Sequence, residues 1–175
     1  MRLQRQTGIT ERVTALDISK RRLDLLKANL KRTGLKANTV RADALKWEPK
    51  HQYDAILLDA PCTATGTARR HPDVLHRIGA RQIEEMAELQ TALLQQAQGW
   101  LKPGGTLVYA TCSLEREEGE DQTGAVAMPT LAVSPDELPA GLAATAEGWI
   151  RTDPGMLVDA GGLDGFFIAR WRRGA

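Results

Sequence analysis

The sequence contains no long apolar run, and this absence excludes a membrane-spanning helix. No stretch approaches the ~20 consecutive apolar residues that a span needs. The first residues, MRLQRQTGITER, are too polar for the apolar core of a secretory signal. We therefore expect a cytoplasmic protein that does not associate with membranes.

The sequence also contains few cysteines and carries almost no net charge. The two cysteines, Cys62 and Cys112, are too few for a disulfide framework and lack the paired spacing of a zinc site, so we expect no metal centre. A formal net charge of +1 argues against a histone-like nucleic-acid binder, which leaves only a local basic surface for such contacts. With 175 residues, 42% of them hydrophobic, the chain has the profile of one soluble globular domain.

Strand patterns alternate with helix patterns along the chain. The predicted elements are a strand at 12–17, a helix from Ser19 to Gly34, strands at 38–41 and 53–59, a helix at 81–99, and strands at 106–110 and 165–171. The apolar run at 53–59 is typical of a strand covered on both faces. Lys102–Gly105 predicts a turn, and the prolines and glycines of 119–148 predict loops. This order predicts a doubly wound α/β sheet.

Acidic residues follow three of the predicted strands. They are Asp17, Asp43 and Asp59. Because the carboxyl ends of parallel strands face one crevice, we expect these carboxylates to line a ligand site. In a complete sheet of this kind, the acid after the second strand suits ribose hydroxyls, and the acid after the third strand suits an adenine amino group. Asp17 alone could equally cap the helix that follows it, but the spacing of all three favours a nucleoside site.

A nucleoside site of this type normally has a glycine-rich turn about 20 residues before the ribose acid. Counting back from Asp17 runs past Met1, and Gly8 stands alone in that stretch. We therefore expect the first strand and its glycine-rich cofactor loop to be missing. The chain would then be a fragment, or its start site was assigned too late.

Each cysteine directly follows a predicted strand. Cys62 lies in Asp59-Ala-Pro-Cys-Thr-Ala-Thr-Gly66, and Cys112 lies in Tyr109-Ala-Thr-Cys-Ser113 after the next strand. Both thiols are therefore predicted at the sheet edge that carries the acids. A buried structural cysteine is the ordinary explanation for either one alone. Their joint position favours a functional pair.

Four segments together carry a family resemblance: Leu58–Gly66, Arg69–Asp73, Tyr109–Ser113 and Asp164–Phe167. They resemble the Sun/Fmu (Nop/Sun) family of RNA 5-methylcytosine methyltransferases, especially its bacterial members that modify small-subunit ribosomal RNA. The resemblance implies a Rossmann-like, S-adenosylmethionine-dependent methyltransferase fold whose mostly parallel sheet has an antiparallel last strand. It also implies that residues 1–175 are the C-terminal portion of a single catalytic domain, without the RNA-binding domain that usually precedes it.

The resemblance implies a role for each candidate residue. Asp17 would hold the ribose of S-adenosylmethionine, and Asp43 would lie at its adenine side. Asp59 would hold the target cytosine and also contribute to the cofactor site. Cys112 would be the attacking thiol, and Cys62 would assist product release.

The chemistry explains why two thiols and an acid are useful. Cytosine C5 is too weak a nucleophile to take a methyl group until a thiolate has added to C6. Asp59, expected in a partly buried crevice, could protonate or hydrogen-bond N3 during that addition. The preference for Cys112 as nucleophile rests on the Thr-Cys-Ser match. Cys62 remains the alternative, because DNA cytosine-5 methyltransferases carry their nucleophile in a Pro-Cys motif.

The target base must leave its stack for such an attack, which favours single-stranded or loop RNA. A predicted basic patch could hold flanking phosphates or be ordinary solvated surface; it consists of Arg69, Arg70 and His71. Asp164 could frame the base together with Phe166 and Phe167, although the two phenylalanines fit a core strand equally well.

Three other functions remain open from the sequence. A methyltransferase acting on nitrogen needs no thiol, so the Asp-Ala-Pro-Cys motif weighs against it. A catalytically impaired fragment would bind RNA or cofactor weakly without turnover. A transfer RNA is the alternative to the 16S ribosomal RNA that we expect as the partner.

Overall fold

The computed structural model describes residues 13–175, and these form two compact units that divide after Glu48. Each unit is described by itself. Predictions that fall on residues 1–12, such as the start of the first strand at Arg12 and the isolated Gly8, lie outside the described residues.

The first unit consists of a helix between two parallel strands. Strand β1 spans Thr14–Asp17, helix α1 spans Lys20–Thr33 and strand β2 spans Asn38–Arg41. The strands pair in register from Thr14 opposite Asn38 to Asp17 opposite Arg41. Both strands therefore end at the same edge of this small sheet.

The ends of α1 follow from local chemistry. Ser19 is the N-cap, and its hydroxyl accepts a hydrogen bond from the Arg22 amide at 3.3 Å. Gly34 ends the helix in the left-handed conformation, with φ of 68°, which glycine adopts without a steric penalty. Leu23 and Leu30 are buried, so the amphipathic pattern, the cap and the stop predicted from the sequence are all confirmed.

The second unit is a four-stranded sheet with helices. Its elements are β3 (Tyr53–Asp59), α2 (Val74–Arg77), α3 (Ala80–Gly99), β4 (Leu101–Thr111), β5 (Ile150–Thr152) and β6 (Phe166–Arg172). The strand order is β3-β4-β6-β5. Strands β3 and β4 are parallel, whereas β6 is antiparallel to both of its neighbours. The predicted α/β sheet with an antiparallel last strand is confirmed.

The core of this unit lies between α3 and the sheet. Its largest fully buried side chains are Leu94, Leu101, Leu107, Tyr109, Phe167 and Trp171. Burying a leucine or phenylalanine side chain contributes about 1.5–3 kcal/mol. Phe167 meets the ring of Tyr109 edge-on at 6.3 Å and that of Trp149 at 5.7 Å. Of the two alternatives for Phe167, the core strand is therefore the observed one.

The prediction that β3 is covered on both faces is wrong. Ile56 and Leu58 pack against the core, but Leu57 is 57% exposed. Successive strand side chains point to opposite faces, and α3 covers only the face of Ile56 and Leu58. Asp59 follows Leu57 by two residues, so its side chain lies on the same uncovered face.

The remaining connections are mostly irregular, as their prolines and glycines predict. The predicted turn at Lys102–Gly105 lies inside β4, where the pairing with β3 shifts register between Leu101 and Thr106. Short 3₁₀ segments occur at Glu120–Ala125 and Pro135–Glu137 within the predicted loop region. Within residues 13–175, no helix combines the length and apolar character needed to cross a membrane.

Candidate active site

Two thiols lie side by side at the edge of the second unit's sheet. The Sγ atoms of Cys62 and Cys112 are 3.5 Å apart, and both side chains are half-buried and free. Their proximity follows from the topology, because β3 and β4 are parallel neighbours with Asp59 opposite Ala110. The amide of Ala60 extends the pairing by donating to the Ala110 carbonyl at 3.0 Å. The two cysteine loops thus leave the sheet together.

The contact between the two sulfur atoms lowers the pKa of one thiol and raises that of the other. A hydrogen bond from Cys62 lowers the pKa of Cys112 to about 7, although burial and the charges of Asp59 and Glu118 oppose this shift. The same hydrogen bond, followed by burial, raises the pKa of Cys62. Ionisation of the pair therefore favours a thiolate on Cys112, with the proton kept by Cys62. A thiolate is the nucleophilic form of cysteine.

Removing the Cys62 thiol is expected to raise the pKa of Cys112. In Cys62→Ala, the midpoint for Cys112 alkylation should move from about 7 toward the ~8.5 of an ordinary thiol. Cys62→Ser is the matched control, because its hydroxyl can still donate to the thiolate. The measurement is the pH dependence of iodoacetamide labelling, followed on the Cys112 peptide by mass spectrometry. An unchanged midpoint in Cys62→Ala would contradict this assignment of the thiolate.

Two glycines let three loops meet at the thiols. The Gly66 amide donates to the Cys112 carbonyl at 3.0 Å, and the Gly165 amide donates to the Gly66 carbonyl at 2.7 Å. A Cβ atom at Gly66 would overlap the Gly165 carbonyl and lie 2.9 Å from the Cys112 carbonyl oxygen. The loops after β3 and β4 and the loop before β6 are thus in backbone contact.

A buried polar network lies behind the two cysteines, and the sequence reasoning missed it. The Glu118 carboxylate accepts hydrogen bonds from Thr63, Ser113 and Gln90, all of them buried. From the sequence this stretch is only acidic, because four glutamates lie between residues 115 and 120. No pattern distinguishes Glu118 from the other three.

Asp59 lies at the end of β3, but its environment differs from the prediction. The side chain is exposed rather than set in a partly buried crevice. The cause is its position on the uncovered face of β3. Its negative charge acts on Cys112 and opposes the lowering of that thiol's pKa.

Asp17 and Asp43 belong to the first unit. The Asp17 carboxylate accepts from the Ser19 amide at 2.7 Å and from two Arg22 nitrogens at 2.7 and 2.8 Å. The hydrogen bond from Arg22 is the largest of the effects that lower the pKa of Asp17. Asp43 accepts from the Leu45 amide at 3.0 Å. Asp17 thus holds Ser19 and Arg22 at the start of α1, but the N-cap itself is Ser19. The role of Asp17 toward a ribose stays a prediction.

The predicted basic patch is exposed and linked to Asp164. Arg70 forms a two-point ion pair with Asp164, and an Arg69 nitrogen lies 3.9 Å from the same carboxylate. The hydrogen bond from Arg70 is the largest effect lowering the pKa of Asp164. His71 is exposed beside them, and Phe166 is half-buried. Asp164 thus binds and orients the arginines.

Comparison with known proteins identifies the family. The model of the 16S rRNA methyltransferase RsmB/F family matches residues 3–172. The chain belongs to this family. S-adenosylmethionine is the cofactor of these methyltransferases. Among residues 13–175, no three histidine, cysteine or acidic side chains gather as metal ligands would.

Relatives in the RsmB/F family are considerably longer. Ribosomal RNA small subunit methyltransferase B of Shewanella oneidensis is 42% identical over 91% of the chain, which covers 37% of that protein. The Salmonella typhi protein of the same name is 44% identical over 90% of the chain and 36% of its own length. The structure of NSun6 from Pyrococcus horikoshii with SFG is 34% identical, with a TM-score of 0.78, over 91% of the chain and 41% of that structure.

Proposed function

We propose that this chain is the catalytic part of an RNA methyltransferase that methylates C5 of cytosine in small-subunit ribosomal RNA. The observation that carries the proposal is the pair of sulfur atoms 3.5 Å apart, one with a pKa of about 7. A methyltransferase acting on nitrogen has no use for a thiolate. Membership of the 16S rRNA methyltransferase RsmB/F family and the names of the bacterial relatives support the choice of RNA.

The covalent step belongs to Cys112. Its thiolate adds to C6 of the cytosine, and the electron pair of the C5–C6 double bond moves to C5. A proton held by the Asp59 carboxyl group is donated to N3 as charge develops there, and N3 returns it when the ring is restored. C5 then takes the methyl group. Loss of the C5 proton to water restores the double bond as the sulfur–C6 bond breaks, which returns the thiolate.

Cys62 assists both the first and the last step of this reaction through its contact with Cys112. Its S–H donates to the sulfur of Cys112 and stabilises the negative charge there. A stabilised thiolate is populated near neutral pH, so attack can begin. The same stabilisation favours the thiolate as a leaving group, because lower-pKa thiols leave faster. Cys62 therefore assists product release without forming a bond to RNA.

Two carboxylates of the first unit suit S-adenosylmethionine, which supplies the methyl group when bound. The parallel pairing of β1 and β2 brings Asp17 and the segment leading to Asp43 to one sheet edge. Asp17 would accept from the ribose hydroxyls, which requires Arg22 to share or release it. Asp43 would serve the adenine side.

Release of hydrogen from C5 tests the proposed reaction. With ribosomal RNA carrying tritium at C5 of its cytosines, the chain should release tritium to water only when S-adenosylmethionine is present. Methylation at nitrogen would leave the tritium in RNA and contradict the proposal. Binding of RNA and cofactor without release would support the impaired-fragment alternative instead. Parallel assays with transfer RNA distinguish the two substrate classes.

The basic patch is expected to contribute phosphate contacts to RNA binding. Each lost contact to single-stranded RNA reduces the slope of log affinity against log salt by about 0.7, so Arg69→Ala with Arg70→Ala should reduce it by about 1.4. Arg77→Ala with Arg81→Ala is the matched control, because both are exposed arginines paired within helices. Filter binding at several salt concentrations measures the slope. Equal slopes for both double variants would show that the patch is ordinary solvated surface.

A further inference from the structure

Glu118 is a fully buried carboxylate held by neutral donors. Its exposed fraction is 0%. It accepts from the Thr63 amide at 2.9 Å, the Thr63 hydroxyl, the Ser113 hydroxyl at 3.0 Å and the Gln90 amide at 2.8 Å. None of the ion pairs within residues 13–175 includes it. Burying an unpaired carboxylate costs several kcal/mol, so these four hydrogen bonds are what make its position tolerable.

The donors to Glu118 flank the two thiols. Thr63 directly follows Cys62, and Ser113 directly follows Cys112. Gln90 of α3 also donates to the carbonyl of Pro61, which precedes Cys62, at 2.8 Å. One carboxylate therefore connects the loop after β3 with the loop after β4.

Glu118 is itself fixed to β4. Its backbone carbonyl accepts from the Tyr109 hydroxyl at 2.8 Å and from the Thr111 hydroxyl at 3.1 Å, and both of these residues are fully buried. The residue is thus anchored to the strand that ends beside Cys112. From there its side chain extends to the Cys62 loop.

We propose that Glu118 is a positioning residue that holds the Cys62 loop against the Cys112 loop and so sets the distance between the two sulfur atoms. Its importance for catalysis rests on the proposed function, whereas its effect on the thiol geometry does not. Glu118 acts through Thr63 and Ser113 rather than on RNA. Loss of the carboxylate would let the loops separate, and the 3.5 Å sulfur contact would be lost with them.

Glutamine and alanine at position 118 separate positioning from charge. One carboxylate oxygen, Oε1, accepts only from the hydroxyls of Thr63 and Ser113, and hydroxyls can turn to accept instead. The other, Oε2, accepts from N–H groups of Thr63 and Gln90, which can only donate. Glu118→Gln can therefore keep all four contacts, with its amide nitrogen at the Oε1 position. Glu118→Ala removes them all.

Only Glu118→Ala should raise the pKa of Cys112. The groups that act on this thiol are Cys62, Asp59 and Glu118, with Arg70 nearby. In Glu118→Gln the sulfur contact stays and a negative charge is lost, so the alkylation midpoint should stay at about 7 or fall. In Glu118→Ala the hydrogen bond from Cys62 is lost, and the midpoint should rise by at least about one unit.

The decisive measurement is iodoacetamide labelling of the Cys112 peptide against pH, without RNA or cofactor. Gln122→Ala is the matched control, since Gln122 is a buried residue whose hydrogen bonds go to Thr91, Ala87 and Glu117, away from the thiols. The proposal is overturned if Glu118→Ala lowers the midpoint, as charge alone predicts, or leaves it unchanged. It is also overturned if Gln122→Ala raises the midpoint equally.

A double variant covers the case in which Glu118→Ala does not fold. Thr63→Val with Ser113→Ala removes both hydroxyl donors and leaves the Glu118 contacts to the Thr63 amide and Gln90. The midpoint should again rise, and no rise would overturn the proposal.

Tritium release then connects the geometry with catalysis. Glu118→Ala should reduce kcat at least about tenfold with KM for RNA unchanged. Glu118→Gln should keep kcat near that of the unaltered chain. If the labelling results hold while the unaltered chain releases no tritium, the positioning role stands and the proposed function fails.

Discussion

Cys112→Ala is expected to abolish methyl transfer and leave no covalent RNA adduct, whereas Cys62→Ala should accumulate one. Without Cys112 there is no sulfur to add to C6. Without Cys62 the attack and the methyl transfer still proceed, but the thiolate loses the hydrogen bond that makes it a good leaving group. The enzyme should then remain joined to methylated RNA. This species survives denaturing electrophoresis and is detected as a band of reduced mobility.

The assay pH matters, because Cys62→Ala also raises the pKa of Cys112. Adducts should therefore be compared near pH 8.5, where an ordinary thiol is about half ionised. Cys112→Ser serves as the control for shape, since a hydroxyl is too weak a nucleophile to replace the thiolate. If both cysteines only fill space, either alanine variant loses about 1–2 kcal/mol of stability and neither gives an adduct. An adduct from Cys112→Ala but not from Cys62→Ala would place the nucleophile in the Pro-Cys motif.

Much of the fold could be predicted because its determinants are local. The cap at Ser19, the stop at Gly34 and the apolar periodicity of α3 depend on residues a few positions apart. The joint position of the cysteines follows from one further rule, that parallel neighbouring strands end at the same sheet edge. The antiparallel last strand came from the family resemblance, not from any pattern in residues 166–172.

The contacts that shape the site could not be predicted, because they join residues far apart in sequence. Glu118 reaches Thr63 across 55 positions, and Arg70 reaches Asp164 across 94. A sequence pattern reports the polarity of such residues but not their partners. The exposure of Asp59 was missed for a related reason, since the run of apolar residues in β3 does not reveal that a helix covers only one face.

Gly66→Ala is expected to be among the most damaging single substitutions in the second unit. Its Cβ would overlap the carbonyl of Gly165 and approach the carbonyl of Cys112, which are backbone atoms that cannot rotate away. The three loops would have to separate, and two hydrogen bonds that join them would lengthen. We expect a loss of about 3 kcal/mol or more in the free energy of unfolding, at the upper end for overpacking.

Gly124→Ala is the matched control for this prediction. A Cβ atom at Gly124 meets nothing within 4 Å, and its backbone is not left-handed. Alanine there should be neutral or stabilise the fold by up to about 1 kcal/mol, through a less flexible unfolded chain. Calorimetric unfolding measures both, and Gly66→Ala should melt about 10 °C lower. Because Gly66 binds the Cys112 carbonyl, its replacement should also raise the midpoint of Cys112 alkylation, whereas a stable Gly66→Ala protein with unchanged labelling would show that the loops do not need this close approach.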